Sequence, residues 1–234
     1  MVPPQVRTLL DLLNLRSDYG DHARVAGGAV RDALLGVEPK DWDVATVLLP
    51  TEVMAMAERA GFDVIPTGLQ HGTVTVVVDG MPLEVTTLRS DVETDGRHAE
   101  VEFVTDWKED AARRDLTMNA MFMTVDGSVQ DFFGGTEDLW EGRVRFVGHA
   151  TDRIEEDFLR ILRFFRFAGR MGVATFDVEA LRAIKRLSPN LSRISGERVW
   201  MEMSKILSGN CVREVLERME HAGEIGRASC RERV

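Results

Sequence analysis

Residues 27–32 read Gly-Gly-Ala-Val-Arg-Asp, and residues 41–46 read Asp-Trp-Asp-Val-Ala-Thr. A short β-like run at 23–26 leads into Gly27 and Gly28, and 29–35 has a helical pattern closed by Gly36. Paired glycines at a strand-to-helix turn let backbone N–H groups approach a phosphate closely, and the helix N-terminus adds a favourable dipole. Gly28 and Arg31 are therefore candidates for nucleotide phosphate binding. Any tight turn can carry two glycines, and no Gly-Lys-Ser/Thr follows to make a Walker loop. In the second stretch, extended backbone puts residues i and i+2 on one face, so Asp41 and Asp43 point the same way. Like charges side by side repel and raise each other's pKa. A divalent cation removes that repulsion, and Mg²⁺ held by one or two carboxylates plus substrate phosphates is a common arrangement. Read alone, the pair is better taken as two solvated aspartates at a strand entrance.

Working outward, Glu84 stands alone in Leu83-Glu84-Val85-Thr86-Thr87-Leu88. An acid inside a hydrophobic β run is costly unless it meets a cation or a donor. It completes a three-carboxylate cluster if its strand neighbours the first, and faces water at a strand edge if it does not. Asp79-Gly80 between 73–78 and 83–88 is a strong hairpin signal. Helices are expected at 5–15, at 51–60 with Thr51 as cap, and at 110–121. Strands are expected at 42–48, 62–65 and 101–104, and a polar loop at 90–100. From 151 onward helices dominate: 154–171, 177–187, 195–207 and 212–219, with Pro189 as a break. No run approaches the ~18–20 apolar residues of a membrane span.

The 234 residues carry a net charge of −10, which taken alone argues against a nucleic acid partner. The charge is uneven. Residues 1–139 hold 11 basic and 25 acidic side chains, whereas 140–223 hold 15 and 12. That asymmetry suggests an acidic mixed α/β unit followed by a mildly basic helical one. The two cysteines, Cys211 and Cys230, make neither a disulfide framework nor a zinc site, and a reducing intracellular compartment is the default. Met1 to Gln5 lacks the regions of a signal peptide. His71 has no partner at metal-ligand spacing. Residues 224–234 continue no apolar pattern and match one reading frame of a sequencing adapter, so they are expected to be a non-native read-through tail on a truncated chain.

The two opening stretches resemble the signature of the DNA polymerase beta nucleotidyltransferase superfamily, and more narrowly of class II tRNA nucleotidyltransferases, the CCA-adding enzymes. Further segments match in order. Residues 83–89 resemble the strand carrying the family's additional acid, and Arg113-Arg114-Asp115-Leu116-Thr117-Met118-Asn119-Ala120 resembles the ribose-recognising motif. Asp131-Phe132-Phe133-Gly134-Gly135 with Asp138-Leu139 resembles the head-to-neck hinge. Glu156-Asp157-Phe158-Leu159-Arg160-Ile161-Leu162-Arg163 resembles the nucleotide-template motif, and Ser195-Gly196-Glu197-Arg198 the neck helix that supports it. Trp42 departs from the family's usual aliphatic residue and should point away from the acids. The text around 95–100 is closest to eukaryotic-type members.

The resemblance implies a mixed-sheet, polymerase beta-like α/β head over 1–139 and an all-α neck over 140–223. It implies template-independent addition of C, C and A to tRNA 3′ ends from CTP and ATP. A bacterial-type poly(A) polymerase, or a truncated fragment that binds nucleotide or RNA without catalysis, are the alternatives. A ribose 3′-hydroxyl would attack the α-phosphate with two Mg²⁺ ions, typically ~3.5–4 Å apart. Asp41 and Asp43 are the expected metal ligands. Glu84 is a further ligand or a group positioning the 3′-hydroxyl. Arg114, Asp115 and Asn119 would select ribose; a plain helix salt bridge with a capping contact is the other reading. Arg97 lies in a full-length loop of the kind the family needs for the final A. Asp157 and Arg160, at i and i+3, offer an acceptor beside a donor. That pattern suits the amino and ring nitrogen of cytosine and adenine and mismatches uracil and guanine, although a plain surface ion pair is also possible. Arg163 would touch the triphosphate or the RNA end, and the aromatics of its helix read as core.

Overall fold

The seven-stranded sheet is built around β1 (Ala23–Ala26) and β2 (Val44–Thr46), the strands that flank the two opening stretches. The computed structural model describes residues 2–15, 21–94, 99–172 and 175–223, so Arg97 and the 224–234 tail lie outside the described residues. The remaining strands of the sheet are β3 (Asp63–Gly68), β4 (Thr73–Val78), β5 (Met81–Thr87), β8 (Met121–Met123) and β9 (Val129–Asp131). Their order is β3-β4-β5-β2-β1-β8-β9. β2 and β5 run parallel, and the other adjacent pairs are antiparallel. Between β5 and β8 the chain forms β6 (Arg89–Thr94) and β7 (Ala99–Phe103), which pair as a separate two-stranded sheet. Residues 90–94 and 99–100 of the expected polar loop are thus strand. Their alternation, as in Ala-Glu-Val-Glu-Phe, is diluted by so many charges that it reads as loop.

Period-two alternation fixes which sheet face is core. Val74, Val76 and Val78 of β4, Leu83 and Val85 of β5, and Val44 of β2 are all buried. α1 (Pro4–Asn14) buries Val6, Leu9, Leu10 and Leu13, and α3 (Pro50–Arg59) buries Val53 and Ala57. α3 begins one residue before the expected cap: Pro50 sits in its first turn, and the Glu52 carboxylate accepts the Leu49 N–H at 2.8 Å. The β4–β5 hairpin turns at Asp79 (φ 48°) and Gly80 (φ 79°), the two positive values a tight hairpin demands. α2 (Gly28–Leu34) follows β1, and α4 (Trp107–Ala112) follows β7.

α4 ends at Ala112, which corrects the helix expected over 110–121. Leu116 bridges to Phe146, residues 117–119 form a 3₁₀ turn, and β8 follows. The described chain falls into two compact units. The first comprises Met1–Glu93, Ala99–Arg114 and Asn119–Phe132; Asp115–Met118 and the residues from Phe133 onward belong to the second.

The second unit contains α5 (Gly135–Trp140), α6 (Ala150–Glu156), α7 (Leu159–Arg170), α8 (Val178–Leu187), α9 (Gly196–Leu207) and α10 (Val212–His221). A two-residue parallel pair, β10 (Arg143–Val144) with β11 (Thr175–Phe176), is its sheet contribution. Phe146, Phe164 and Phe165 are fully buried, with Phe146 stacked on Phe164 at 5.4 Å. Each such ring contributes roughly 1.5–3 kcal/mol by burial. Asp138 is buried and accepts Thr117 Oγ1 at 2.6 Å, Arg145 Nε at 2.9 Å and Arg143 Nη1 at 3.3 Å. Gly135 is obligatory there, because a Cβ would stand 2.2 Å from the Thr117 carbonyl oxygen. The single helix expected over 154–171 is two, broken at Asp157 with φ −152°. Among the described residues no helix is long and apolar enough to cross a membrane.

Candidate active site

The turn from β1 into α2 is set by Gly27, whose φ of +65° and ψ of −121° suit glycine. A second constraint acts on the same atom: a Cβ would come within 2.9 Å of Arg114 Nη1. The Gly27 N–H donates to the Met121 carbonyl at 3.0 Å, so the turn is stitched to β8. Gly28 opens α2.

Arg31 is not presented to solvent. It is buried, with Nε and Nη2 on Asp32 Oδ1 at 2.9 and 2.8 Å, and its Nη1 donates to Asn119 Oδ1 at 2.5 Å. The expected phosphate-binding cation therefore ties α2 to the 3₁₀ turn.

Asp41 and Asp43 are exposed immediately before β2, while Trp42 between them is buried, as alternation requires. The parallel register pairs Val44 with Val85 and Ala45 with Thr86. That sets Glu84 beside Asp43 on the next strand, on the face carrying Thr86. Asp43 responds to both neighbouring acids. Desolvation first, then the charges of Glu84 and Asp41, push the Asp43 pKa up, and Arg114 opposes them. Even so, among the described residues no group of three or more His, Cys, Asp or Glu is arranged to hold a metal by itself. A cavity of about 350 Å³ lined by Leu13, His22, Leu48 and Met56 contains none of these acids.

The ribose trio is divided. Arg114 lies past the end of α4, where its Nη1 donates to the Asn119 carbonyl at 3.2 Å and its guanidinium rests 5.0 Å from the Phe122 ring centre. Arg114 and Asn119 thus meet through a turn and not along one helix. Asp115 belongs to the second unit. Its Oδ1 accepts the Leu116 N–H at 2.8 Å, and its Oδ2 accepts Arg163 Nε at 2.6 Å.

Asp157 and Arg160 do not lie on one helix, which corrects the shared helical face. Asp157 occupies the break between α6 and α7. Its Oδ1 accepts the Leu159 N–H at 3.1 Å, and its Oδ2 accepts Arg198 Nη2 at 2.7 Å. Arg160 turns back to Glu156 Oε2 at 2.5 Å and to the Arg153 carbonyl at 3.0 Å. Arg163 is held charged: burial disfavours its cation, but the charge and hydrogen bond of Asp115 outweigh that and raise its pKa. Phe164, Phe165 and Phe167 are buried, in keeping with a core role.

Sequence reasoning missed Asp110, a buried carboxylate that binds both Arg113 and Arg114. The signal was present, since an acid three and four positions before two arginines faces both on a helix.

A glycine turn into a helix, an Asp-x-Asp ahead of β2 and a coupled acid on the parallel neighbour β5 define a nucleotidyltransferase head on a mixed α/β sheet. Residues 23–145, more than half of the chain, match the family described as the Poly A polymerase head domain. The chain belongs to that family. Residues 175–224 match the model described as the probable RNA and SrmB-binding site of polymerase A. The chain is 54% identical over 196 residues to the human mitochondrial CCA tRNA nucleotidyltransferase 1, covering 82% of this chain and 45% of that protein. Among solved structures it is similar to the Bacillus stearothermophilus CCA-adding enzyme in complex with CTP, at TM-score 0.84 and 38% identity over 96% of this chain and 53% of that one. The Thermotoga maritima CCA-adding enzyme complexed with tRNA gives TM-score 0.79 and 27% identity over 97% and 53%. The chain spans about half the length of the relatives it matches.

Proposed function

We propose that this chain carries the head and neck of a CCA-adding enzyme, transferring nucleotides from CTP and ATP to the 3′ end of tRNA. The head is proposed over 1–139 and the neck over 140–223, with 133–139 grouped by compactness with the second unit. The observation that carries the reading is the parallel register of β2 and β5, Val44 with Val85, which sets Glu84 beside Asp43 and the Asp41-Trp42-Asp43 pair. The identity to enzymes named for CCA addition favours this activity over poly(A) synthesis.

Like-charge crowding at Asp41 and Asp43 fits a divalent cation, and Mg²⁺ is the cation we assign, with nucleotide oxygens completing its shell. When bound, the ion supplies activation of the attacking 3′-hydroxyl and neutralises charge on the departing pyrophosphate. The chain's own groups do the rest. The Gly27-Gly28 turn into α2 is the phosphate-approach element of the chain. Arg114, held by Asp110 and the Asn119 carbonyl, donates to the ribose in this reading. Glu84 shares the face of Asp43 and orients the attacking hydroxyl. Asp157 accepts from the exocyclic amino group of cytosine or adenine, and Arg160 donates to the adjacent ring nitrogen. Uracil and guanine would leave both groups unpaired.

The test is incorporation of each of the four triphosphates into tRNA lacking its terminal CCA. Incorporation of CTP and ATP, with UTP and GTP refused, is expected. Adenylate-only tailing would select the poly(A) reading. Nucleotide binding without extension would select a fragment that binds but does not catalyse.

A further inference from the structure

Asp110 is a buried acid that the transfer chemistry leaves unused. Its side chain is 2% exposed, and its two oxygens are divided between neighbours. Oδ1 accepts Arg113 Nε at 2.8 Å, Arg113 Nη2 at 2.8 Å and the Arg89 backbone N–H at 3.3 Å. Oδ2 accepts Arg114 Nε at 3.1 Å and Arg114 Nη2 at 2.9 Å. The Arg114 contact is a two-pronged fork, the geometry that fixes a guanidinium in plane as well as in place. The plane is bounded on its other sides by the Phe122 ring at 5.0 Å and by the Gly27 backbone, where a Cβ would come within 2.9 Å. Trp107 supports Phe122 edge-on at 4.9 Å. Arg89 opens β6, so one carboxylate ties the start of that strand to the residue that faces Asp43.

We infer that Asp110 is a positioning residue for sugar selection: by holding the Arg114 guanidinium in one plane it sets the discrimination between ribo- and deoxyribonucleoside triphosphates. The inference rests on the assignment of Arg114 as the ribose-contacting group. A carboxylate that merely stabilised the end of α4 would act equally through Arg113 and Arg114. A positioning role acts through Arg114 alone.

The experiment is equilibrium binding of CTP and of 2′-deoxy-CTP to the 234-residue chain, with circular dichroism confirming the fold of each variant. The wild type should prefer CTP by about tenfold, the worth of one charge-assisted hydrogen bond. Asp110→Asn should cut that preference to about twofold or less, since the uncharged amide keeps one acceptor oxygen, for which Arg113, Arg114 and the Arg89 N–H then compete. Arg113→Gln, which breaks the other half of the same cluster, should leave the preference intact. Should Asp110→Asn fail to fold, Asp110→Glu carries the same expectation, because it keeps the charge and displaces the oxygens by a methylene. A folded Asp110 variant that retains the full preference overturns the inference, as does an Arg113→Gln variant that loses it equally. Arg114→Gln separates the two levels. If that variant keeps the preference, the ribose assignment itself fails; if it loses the preference while the Asp110 variants keep it, only the positioning role fails.

Discussion

The pairing of Asp115 with Arg163 yields a quantitative prediction that separates structure from substrate recognition. Arg163 Nε and Nη2 both lie 2.6 Å from Asp115 Oδ2, with side-chain exposures of 33% and 8% for the arginine and aspartate. The aspartate is also pinned by its own backbone: its carbonyl accepts the Val147 N–H at 3.0 Å, and its Oδ1 takes the Leu116 N–H. Removing one partner of a fully buried ion pair costs ~3–5 kcal/mol. Here the arginine is a third exposed and regains water when orphaned, which lowers the expected cost of Asp115→Asn to ~2 kcal/mol. For a chain of this size that is a fall of roughly 4–8 °C in Tm. A double-mutant cycle with Arg163→Gln, followed by urea denaturation, should give a coupling of ~1–2 kcal/mol. The relative binding of CTP and 2′-deoxy-CTP should survive in Asp115→Asn, because Arg163 and the Leu116 N–H already hold its two oxygens. A coupling below ~0.5 kcal/mol, the level expected of independent sites, would refute the energetic argument. Loss of sugar discrimination in Asp115→Asn but not in Arg163→Gln would refute the structural one.

Asp43→Asn should abolish nucleotide incorporation yet raise Tm at neutral pH. The folded-state pKa of Asp43 is raised, so the native protein holds that proton more tightly than the unfolded chain, and stability falls as pH climbs from the ordinary aspartate range through the raised value. The Tm advantage of the variant should therefore vanish in acid below the ordinary aspartate range, and Mg²⁺ should raise the wild-type Tm more than the variant's; an equal Mg²⁺ response in both speaks against the metal assignment. Asp157→Asn replaces a pure acceptor by a group that also donates, so UTP should gain in competition binding against CTP, and unchanged selectivity counts against a base-reading role. Gly135→Ala places a methyl 2.2 Å from the Thr117 carbonyl oxygen, an overpacking that costs ~3 kcal/mol in a region unable to yield and is measured by denaturant midpoint.

Local chemistry was legible and long-range decisions were not. The Gly27 turn, the Asp79-Gly80 hairpin and the outward pair at Asp41 and Asp43 each depend on backbone constraints spanning a few residues, which sequence states directly. β8 and β9 have three residues each, too short for alternation to register. The break at Asp157 is invisible because the apolar spacing of Ile154, Ile161 and Leu162 carries across it, while the aspartate uses its Oδ1 to cap the next helix. Residue 115 shows the limit most clearly. The run Arg113-Arg114-Asp115 reads as one unit, but its members diverge: Arg113 and Arg114 fold back on Asp110, and Asp115 joins Val147 and Arg163. Its principal partner lies 48 positions away, and no periodicity inside the motif encodes that choice. Motif membership alone is therefore a poor guide to the partner each carboxylate takes within the chain, and for Asp115 Oδ2 that partner is a guanidinium of the helical unit.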